Sequence, residues 1–272
     1  MLSTSDLPRR SFLALAGSAL AAPAIHAEGL TTLRFGGTGA ALGGIYLLAP
    51  LLAQVGITLH KVRNLGTGGG IRAVRAGAVD FSVSARQLVT EENQAGLRDT
   101  LYARSQLIFA THAATAAESL SLEEAVEKVA GRVTQWPGGV RVRLSRRPDQ
   151  DGDTELMSSL SPAMAAAVTA MQRRPGLVTA ATDHEQADAL EAVPGTLGGL
   201  SLSLIMSERR RLKVLPLRDP PVDAWPLLKH FILVTRADSG PAVQRFAAVL
   251  RSAPAARILA AHGHIIAEAS AG

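Results

Sequence analysis

Strand-like and helix-like segments alternate through the first third of the chain, and glycines stand at the junctions between them. TTLRFGG (31–37), GITLHKVRN (56–64) and DFSVS (80–84) have the character of strands. ALGGIYLLAPLLAQVG (41–56), with Pro50 as a kink, and IRAVRAGAV (71–79) have helical spacing between them. Because parallel neighbouring strands need a helical crossover, this order predicts a parallel α/β layer.

The same two kinds of segment continue to the end of the chain, without an internal repeat or a low-complexity linker. We therefore expect two α/β halves of similar make-up. The further predicted strands are SQLIFATHA (105–113), VRVRLS (140–145) and HFILVT (230–235). The further predicted helices are SLEEAVEKVAG (121–131), ELMSSLSPAMAAAVTAM (155–171), HEQADALEAV (184–193), PAVQRFAAVLRS (241–252) and AARILAAHG (255–263).

Composition excludes several classes of protein. Hydrophobic residues make up 47% and charged residues 19%, which is typical of a globular chain and not of a disordered one. The absence of cysteine excludes disulfides, thiol catalysis and cysteine metal sites. The net charge of +5 comes from scattered basic residues without stacking aromatics beside them, so we expect no nucleic-acid partner.

The first 27 residues have the organisation of an export signal. In LPRRSFLALAGSALAAPAIHA (7–27), Arg9 and Arg10 precede an apolar run and then small residues suited to cleavage. The arginine pair followed by Ser-Phe-Leu resembles the twin-arginine signal. A general secretory signal or an N-terminal membrane anchor is the alternative. We predict cleavage after Ala27 in preference to Ala24, and a periplasmic or extracellular mature protein.

Three glycine-containing turns precede predicted helices: GGTGA (36–40), GTGGG (66–70) and DQDGDT (149–154). The first N–H groups of a helix carry partial positive charge, and glycine lets a ligand approach the backbone closely. The three turns therefore suit a bound anion. Tight strand-to-helix turns without any ligand are the alternative interpretation.

Three other segments of the sequence resemble nucleotide-binding or metal-binding motifs. GTGAALGG resembles a dinucleotide fingerprint, but the next strand ends with Lys61 and Arg63 where an acidic residue is expected. Asp149, Asp151 and Asp153 imitate the start of a calcium loop that lacks its glycine and its final glutamate. The HGH at 262–264 with Glu268 is too loosely spaced for a metal site. We expect no metal and no cofactor.

The order of the glycine turns carries a family resemblance. GGTGAALGGIYLLAPLL, then NLGTGGGIRAVRAGAVDFSVSARQL, then LSLEEAVEKVAGRVTQWPGGVRVRLSRRPDQDGDT resembles phosphate-type periplasmic substrate-binding proteins of ABC transporters. HFILVT fits the return strand of that family. The resemblance covers residues 31–236. It implies a two-lobed type II periplasmic-binding fold, with residues 30–112 and 227–272 in lobe 1 and residues 113–226 in lobe 2.

The resemblance also implies which residues bind the ligand. From lobe 1 these are Gly37, Thr38, Thr67, Gly68 and Ser84, and from lobe 2 they are Arg147, Gly152 and Thr154. The planar guanidinium of Arg147 can pair with two oxygens of a tetrahedral anion.

Two departures bear on the identity of the ligand. The aspartate with which the family accepts a proton from hydrogen phosphate falls at Ala85, next to Arg86, and Asp151 stands where the third loop often has serine. A carboxylate beside an anion costs free energy unless it turns away or shares a proton. We therefore expect phosphate or a similar oxyanion, including a small organic acid.

The predicted function is that of an exported, monomeric, non-enzymatic protein that captures a small anion for a membrane ABC transporter permease. Two alternatives stay open. One is a secreted nucleotide-dependent oxidoreductase, because twin-arginine export often serves proteins folded around cofactors. The other is a sensory or interaction module with a degenerate binding cleft, which Ala85 and Asp151 favour.

Overall fold

The computed structural model describes residues 30–62, 65–218 and 227–267. Within them the chain forms ten strands and eleven helices. The strands are β1 (Thr31–Gly37), β2 (Ile57–Lys61), β3 (Phe81–Ser84), β4 (Leu97–His112), β5 (Arg143–Arg146), β6 (Val178–Thr179), β7 (Thr196–Ser201), β8 (Leu212–Leu215), β9 (Leu228–Arg236) and β10 (Ile265–Ile266). The helices are α1 (Gly39–Leu47), α2 (Ala49–Ala53), α3 (Gly66–Arg75), α4 (Thr90–Gln94), α5 (Leu122–Ala130), α6 (Gly152–Ser159), α7 (Pro162–Arg173), α8 (Asp183–Ala192), α9 (Leu202–Ser207), α10 (Pro241–Leu250) and α11 (Ala253–Ala260).

The strands form a mixed sheet in the order β2-β1-β3-β9-β4-β7-β5-β6, with β8 and β10 also paired to β4. The three N-terminal strands are parallel, as the alternation predicts, and so are β5, β6 and β7. Antiparallel pairing begins where β9 joins β3 and β4. The long strand β4 pairs with β9 through residues 97–106 and with β7 through residues 107–111, so it connects the two parallel groups.

Two large hydrophobic cores lie along this sheet. The first contains Phe35, Phe81 and Phe246, whose rings stack with centroids 5.2 and 4.0 Å apart. The second contains Trp136, and Met164 and Val168 of α7, among others. Residues 102–103 of β4 belong to the first core and residues 107–110 to the second. The strand therefore passes from one core to the other.

Most predicted elements are present, with shifted ends. The helix predicted over residues 41–56 is divided at Leu48, because Pro50 lies in the first turn of a new helix and cannot continue the old one. The helix predicted over residues 155–171 is also divided, at Ser161 and Pro162, between α6 and α7. The glycine cluster is the first turn of α3 and not a loop before it.

The expected export signal, residues 1–27, lies outside the described residues. Among the residues that are described, no helix is both long and apolar enough to cross a bilayer.

Candidate functional site

A cavity of about 640 Å³ lies between the two cores. All three predicted glycine turns contribute to its wall, through residues 37–39, 66–68 and 150–153. Residues 181–184 and 228–230 also line the cavity. The turn after β1 lies on the side of the first core and the turn before α6 on the side of the second. The cavity between the cores therefore brings these two turns together.

Four helices begin at this cavity. The first residues of α1, α3, α6 and α8 are Gly39, Gly66, Gly152 and Asp183, and each of these lines the wall. The first N–H groups of a helix have no acceptor within the helix, and they carry partial positive charge. The cavity therefore receives the positive ends of four helices.

The start of α8 was not predicted as part of the site. Its N-cap, Thr182, accepts a hydrogen bond from the N–H of Glu185, while the Glu185 carboxylate accepts one from the N–H of Ala181. A threonine followed three residues later by a glutamate is a sequence signature of a helix start. That signature in TDHE (182–185) could have identified the fourth turn.

The floor of the cavity holds a buried lysine between two aspartates. Lys229 Nζ lies 2.7 Å from Asp183 Oδ1 and 2.8 Å from Asp153 Oδ1, and the three side chains are at most 6% exposed. The hydroxyl of Thr38 donates to Asp183 Oδ2 at 3.0 Å. Lys229 lies in β9 and Thr38 follows β1, both on the side of the first core, while Asp153 and Asp183 lie in the first turns of α6 and α8 on the side of the second. This cluster therefore joins the two sides of the cavity.

Burial and charge set the protonation of this cluster. Burial alone would lower the pKa of Lys229, but Asp153 and Asp183 raise it above its ordinary value. Burial alone would raise the pKa of Asp183, but the charges of Lys229 and Arg147 hold it below its ordinary value. For Asp153, burial and the nearby carboxylates outweigh Lys229, so its pKa is raised. Lys229 and Asp183 thus form the charged pair, and Asp153 is the group that protonates most readily.

Arg147 lies in the wall as predicted, but it already has a carboxylate partner. Its Nη2 is 2.8 Å from Asp151 Oδ2, and its Nη1 donates to the Ala180 carbonyl at 2.8 Å. Asp151 also caps α6 by accepting the Asp153 N–H. Burial alone would lower the pKa of Arg147, yet the aspartates around it raise that pKa. The guanidinium is therefore charged and held in place.

The structure brings six of the eight predicted ligand contacts to the cavity. Gly37, Thr38, Thr67, Gly68, Arg147 and Gly152 line it, while Ser84 and Thr154 are not among its lining residues. The Ser84 hydroxyl donates to the Arg86 carbonyl, and the Thr154 hydroxyl donates to the Pro148 carbonyl at 2.8 Å. These two hydroxyls hold the turns in shape. Direct contact of the eight residues with a ligand stays a prediction.

Ala85, which stands where an acidic residue was expected from the family resemblance, also lines the cavity. The N–H of Ala85 donates to the Thr67 hydroxyl at 3.0 Å, so the turn after β3 is tied to the start of α3. Arg86 lines the cavity, but its guanidinium makes two hydrogen bonds of 2.8 and 2.9 Å to the Glu92 carboxylate. The positive charge of Arg86 is therefore already balanced.

The HGH segment at 262–264 lies within the described part of the chain. No group of three or more histidines and acidic residues there could hold a metal ion. His264 is buried, and its Nδ1 faces the backbone carbonyls of Leu259 and His262. Glu268, the other member of the weighed cluster, lies outside the described residues.

Comparison with known proteins adds a family and a set of related folds. A family model described as a PBP superfamily domain matches residues 22–253. No curated protein matches the chain. Three solved structures superpose well, and at their low sequence identity they show the fold. They confirm the predicted two-lobed α/β class.

The three structures carry the following names and measures. A putative phosphate ABC transporter substrate-binding protein with bound phosphate from Clostridium perfringens has a TM-score of 0.67 at 16% identity, covering 88% of this chain and 100% of its own. A phosphate binding protein from Stenotrophomonas maltophilia has a TM-score of 0.64 at 16% identity, covering 88% and 91%. The periplasmic molybdate-binding protein of Azotobacter vinelandii has a TM-score of 0.61 at 16% identity, covering 87% and 100%.

Proposed function

Because the chain belongs to the PBP superfamily, we propose that it is an exported solute-binding protein, not an enzyme, which captures a small oxyanion and presents it to a membrane ABC transporter. The convergence of four helix starts on one cavity carries this proposal. Such a cavity stabilises negative charge with backbone groups, which need no proton and do not move. The similar folds named for phosphate and molybdate support a tetrahedral oxyanion as the ligand class.

We propose that the protein works as two lobes, residues 30–112 with 227–272 and residues 113–226. The distribution of β4 between the two cores supports this division. The described chain passes from one core to the other along β4 and again between Leu227 and Phe231, at the start of β9, so these crossings would form the hinge. Closure would bring the turns at Gly37 and Gly68 toward the turn at Gly152 around the anion.

Calorimetry tests the capture role. The chain without residues 1–27 is titrated in phosphate-free buffer with phosphate, sulfate, molybdate and simple carboxylates. We expect binding of at least one oxyanion with a stoichiometry of one. If folded protein binds none of them, the capture role is wrong.

Replacing Arg147 with alanine should weaken oxyanion affinity by tenfold or more, which corresponds to about 1.5–3 kcal/mol for a charge-assisted hydrogen bond. The loss would also leave Asp151 without its partner and facing the ligand. Arg143→Ala is the matched control, because it removes the same charge at an exposed site outside the cavity wall. Equal affinities of the two variants would remove Arg147 from the binding site.

Replacing Gly68 with alanine should stabilise the protein and yet weaken oxyanion binding. Alanine in a helix is favoured over glycine by about 1 kcal/mol, and a Cβ here would meet only the movable end of Arg72, at 3.3 Å. The same Cβ would stand in the wall where the ligand approaches the backbone.

The control is Gly69→Ala, in the same helix turn but outside the wall. Thermal unfolding and calorimetry are measured on both variants. Both should unfold at higher temperature, and only the alanine at position 68 should weaken binding. Equal affinity in the two variants would mean that this glycine serves the helix start alone.

The internal pairing of the cavity cations favours a second candidate, a sensory or interaction module. Arg86, Arg147 and Lys229 each already contact a carboxylate. Such a module would bind no anion and would be recovered with a partner protein after crosslinking of the exported protein. The secreted oxidoreductase makes a different prediction, since the purified protein would then carry the absorbance of a nicotinamide or a flavin.

A further inference from the structure

The deepest part of the cavity contains more carboxylates than cations. Arg147 and Lys229 are surrounded there by Asp151, Asp153 and Asp183. An oxyanion bound beside these groups would add at least one further negative charge. Two negative charges close together in a buried site repel each other and raise the free energy of the ionised forms. A carboxylate relieves this repulsion by taking up a proton.

The three carboxylates are held very differently. Asp183 accepts hydrogen bonds from Lys229 and Thr38. Asp151 accepts two from Arg147 and one from the start of α6. Asp153 contacts Lys229 at 2.8 Å, but within the described residues neither of its oxygens has a hydrogen-bond partner of good geometry. It is 1% exposed and lines the cavity. Of the three, Asp153 is therefore the carboxylate with an oxygen left for a ligand.

Five parts of the chain around Asp153 present charged or titratable groups. Its own helix adds Glu155, α8 adds Asp183 and His184, β9 adds Lys229 and His230, the turn before α6 adds Arg147 and Asp151, and the turn after β3 adds Arg86. The pKa values of Lys229 and Arg147 are raised, so both stay charged, and that of Asp183 is lowered, so it stays ionised. Burial and the neighbouring aspartates raise the pKa of Asp153.

We propose that Asp153 takes up one proton from solvent when an oxyanion binds, and that the resulting neutral carboxyl donates its O–H to the ligand. This inference rests on the proposed function. A protonated carboxyl is a hydrogen-bond donor, whereas its ionised form only accepts. Asp153 therefore favours a fully ionised oxyanion, such as sulfate or molybdate, which has no proton of its own to donate. Asp153 does not replace the acceptor that is missing at Ala85. An aspartate at position 85 would accept a hydrogen bond from a protonated ligand, whereas the neutral carboxyl of Asp153 donates one to an ionised ligand.

Proton uptake gives the affinity a defined pH dependence. Below the pKa that Asp153 has in the free cavity, the carboxyl is already protonated and affinity is constant. Between that pKa and the higher pKa of the complex, affinity falls by about tenfold for each pH unit. Binding is thus strongest at low pH and weakens as pH rises through this interval.

Calorimetry with sulfate tests the inference, because sulfate itself does not titrate between about pH 5 and pH 9. Titrations in two buffers with different ionisation enthalpies give the number of protons taken up. We expect about one proton per sulfate within the interval described above. If another oxyanion of the panel is the one that binds, the same two-buffer measurement is made with that anion.

Asp153→Asn identifies the group, since the amide keeps a donor and loses the charge. This variant should bind sulfate at least as tightly as the parent, with no proton uptake and no pH slope. Asp149→Asn, exposed in the same turn, and His184→Gln, in the wall, should both retain the uptake.

Binding without proton uptake, or uptake that persists in Asp153→Asn, would overturn the inference and leave the capture role intact. Failure of every oxyanion to bind would overturn the capture role first. The two-buffer measurement on the parent protein needs no variant, so the absence of proton uptake there overturns the inference even if Asp153→Asn does not fold. In that case, uptake that persists in His184→Gln supports the inference.

Discussion

Replacing Lys229 with methionine is expected to destabilise the protein by about 3–5 kcal/mol at neutral pH, because the change leaves Asp183 and Asp153 buried without their cation. Methionine fills a similar space along the strand, so the loss comes mainly from charge and not from a cavity. Urea unfolding at pH 7 measures the change in the free energy of unfolding.

The pH dependence separates this cause from a packing defect. The pKa of Asp183 is lowered in the folded protein, so its contribution to stability is present above its unfolded pKa and is lost as pH falls. In the methionine variant the unpaired aspartates would instead protonate readily. The difference in stability between variant and parent should therefore shrink as pH is lowered toward about 4.

Lys213→Met is the matched control for that experiment. Lys213 pairs with Glu118, whose side chain is 86% exposed, and an exposed ion pair contributes at most about 1 kcal/mol. Similar losses in the two variants, or a loss at position 229 that does not change with pH, would contradict a charge-based role for the buried cluster.

Local patterns were enough to predict most of the fold. The strand at Phe35 and the strand at Phe81 are apolar segments between glycine turns, and helix α5 begins at the capping box formed by Ser121 and Glu124. The first half of β4 was missed, because LRDTLYAR (97–104) mixes charged and apolar residues without a clear period. Its strand conformation is supported by pairing with β9, which lies far along the chain.

The site was predicted in outline for the same reason. The glycine turns have local signatures, and their order was sufficient to predict that they meet around one cavity. The buried cluster has none, since Lys229 stands alone before the apolar run HFILVT and Asp183 precedes it by 46 residues. Only the tertiary arrangement shows that Lys229 and Asp183 lie beside Asp153 in the anion-suited wall. If Asp153 takes up a proton as proposed, the ligand class depends on protonation as well as on loop geometry.

Replacing Gly37 with alanine should cost about 3 kcal/mol or more of stability, although Gly37 lies in a turn predicted to bind an anion. Its φ is +128°, a conformation that residues with a side chain rarely adopt, and an added Cβ would clash with the Val83 carbonyl oxygen. That oxygen accepts the Thr38 N–H, and Gly37 pairs with Val83 across β1 and β3. The backbone cannot move away without loosening this pairing.

Gly56→Ala separates backbone strain from contact, because Gly56 also has a positive φ, +73°, but nothing lies within 4 Å of the added Cβ. It should cost only about 1 kcal/mol by urea unfolding. Equal costs at the two positions would mean that the close approach to Val83 is unimportant. If the difference holds, the fold itself requires glycine at position 37, whereas it does not require glycine at position 68. The glycine that reports on the ligand is then the one whose replacement leaves the folded protein more stable.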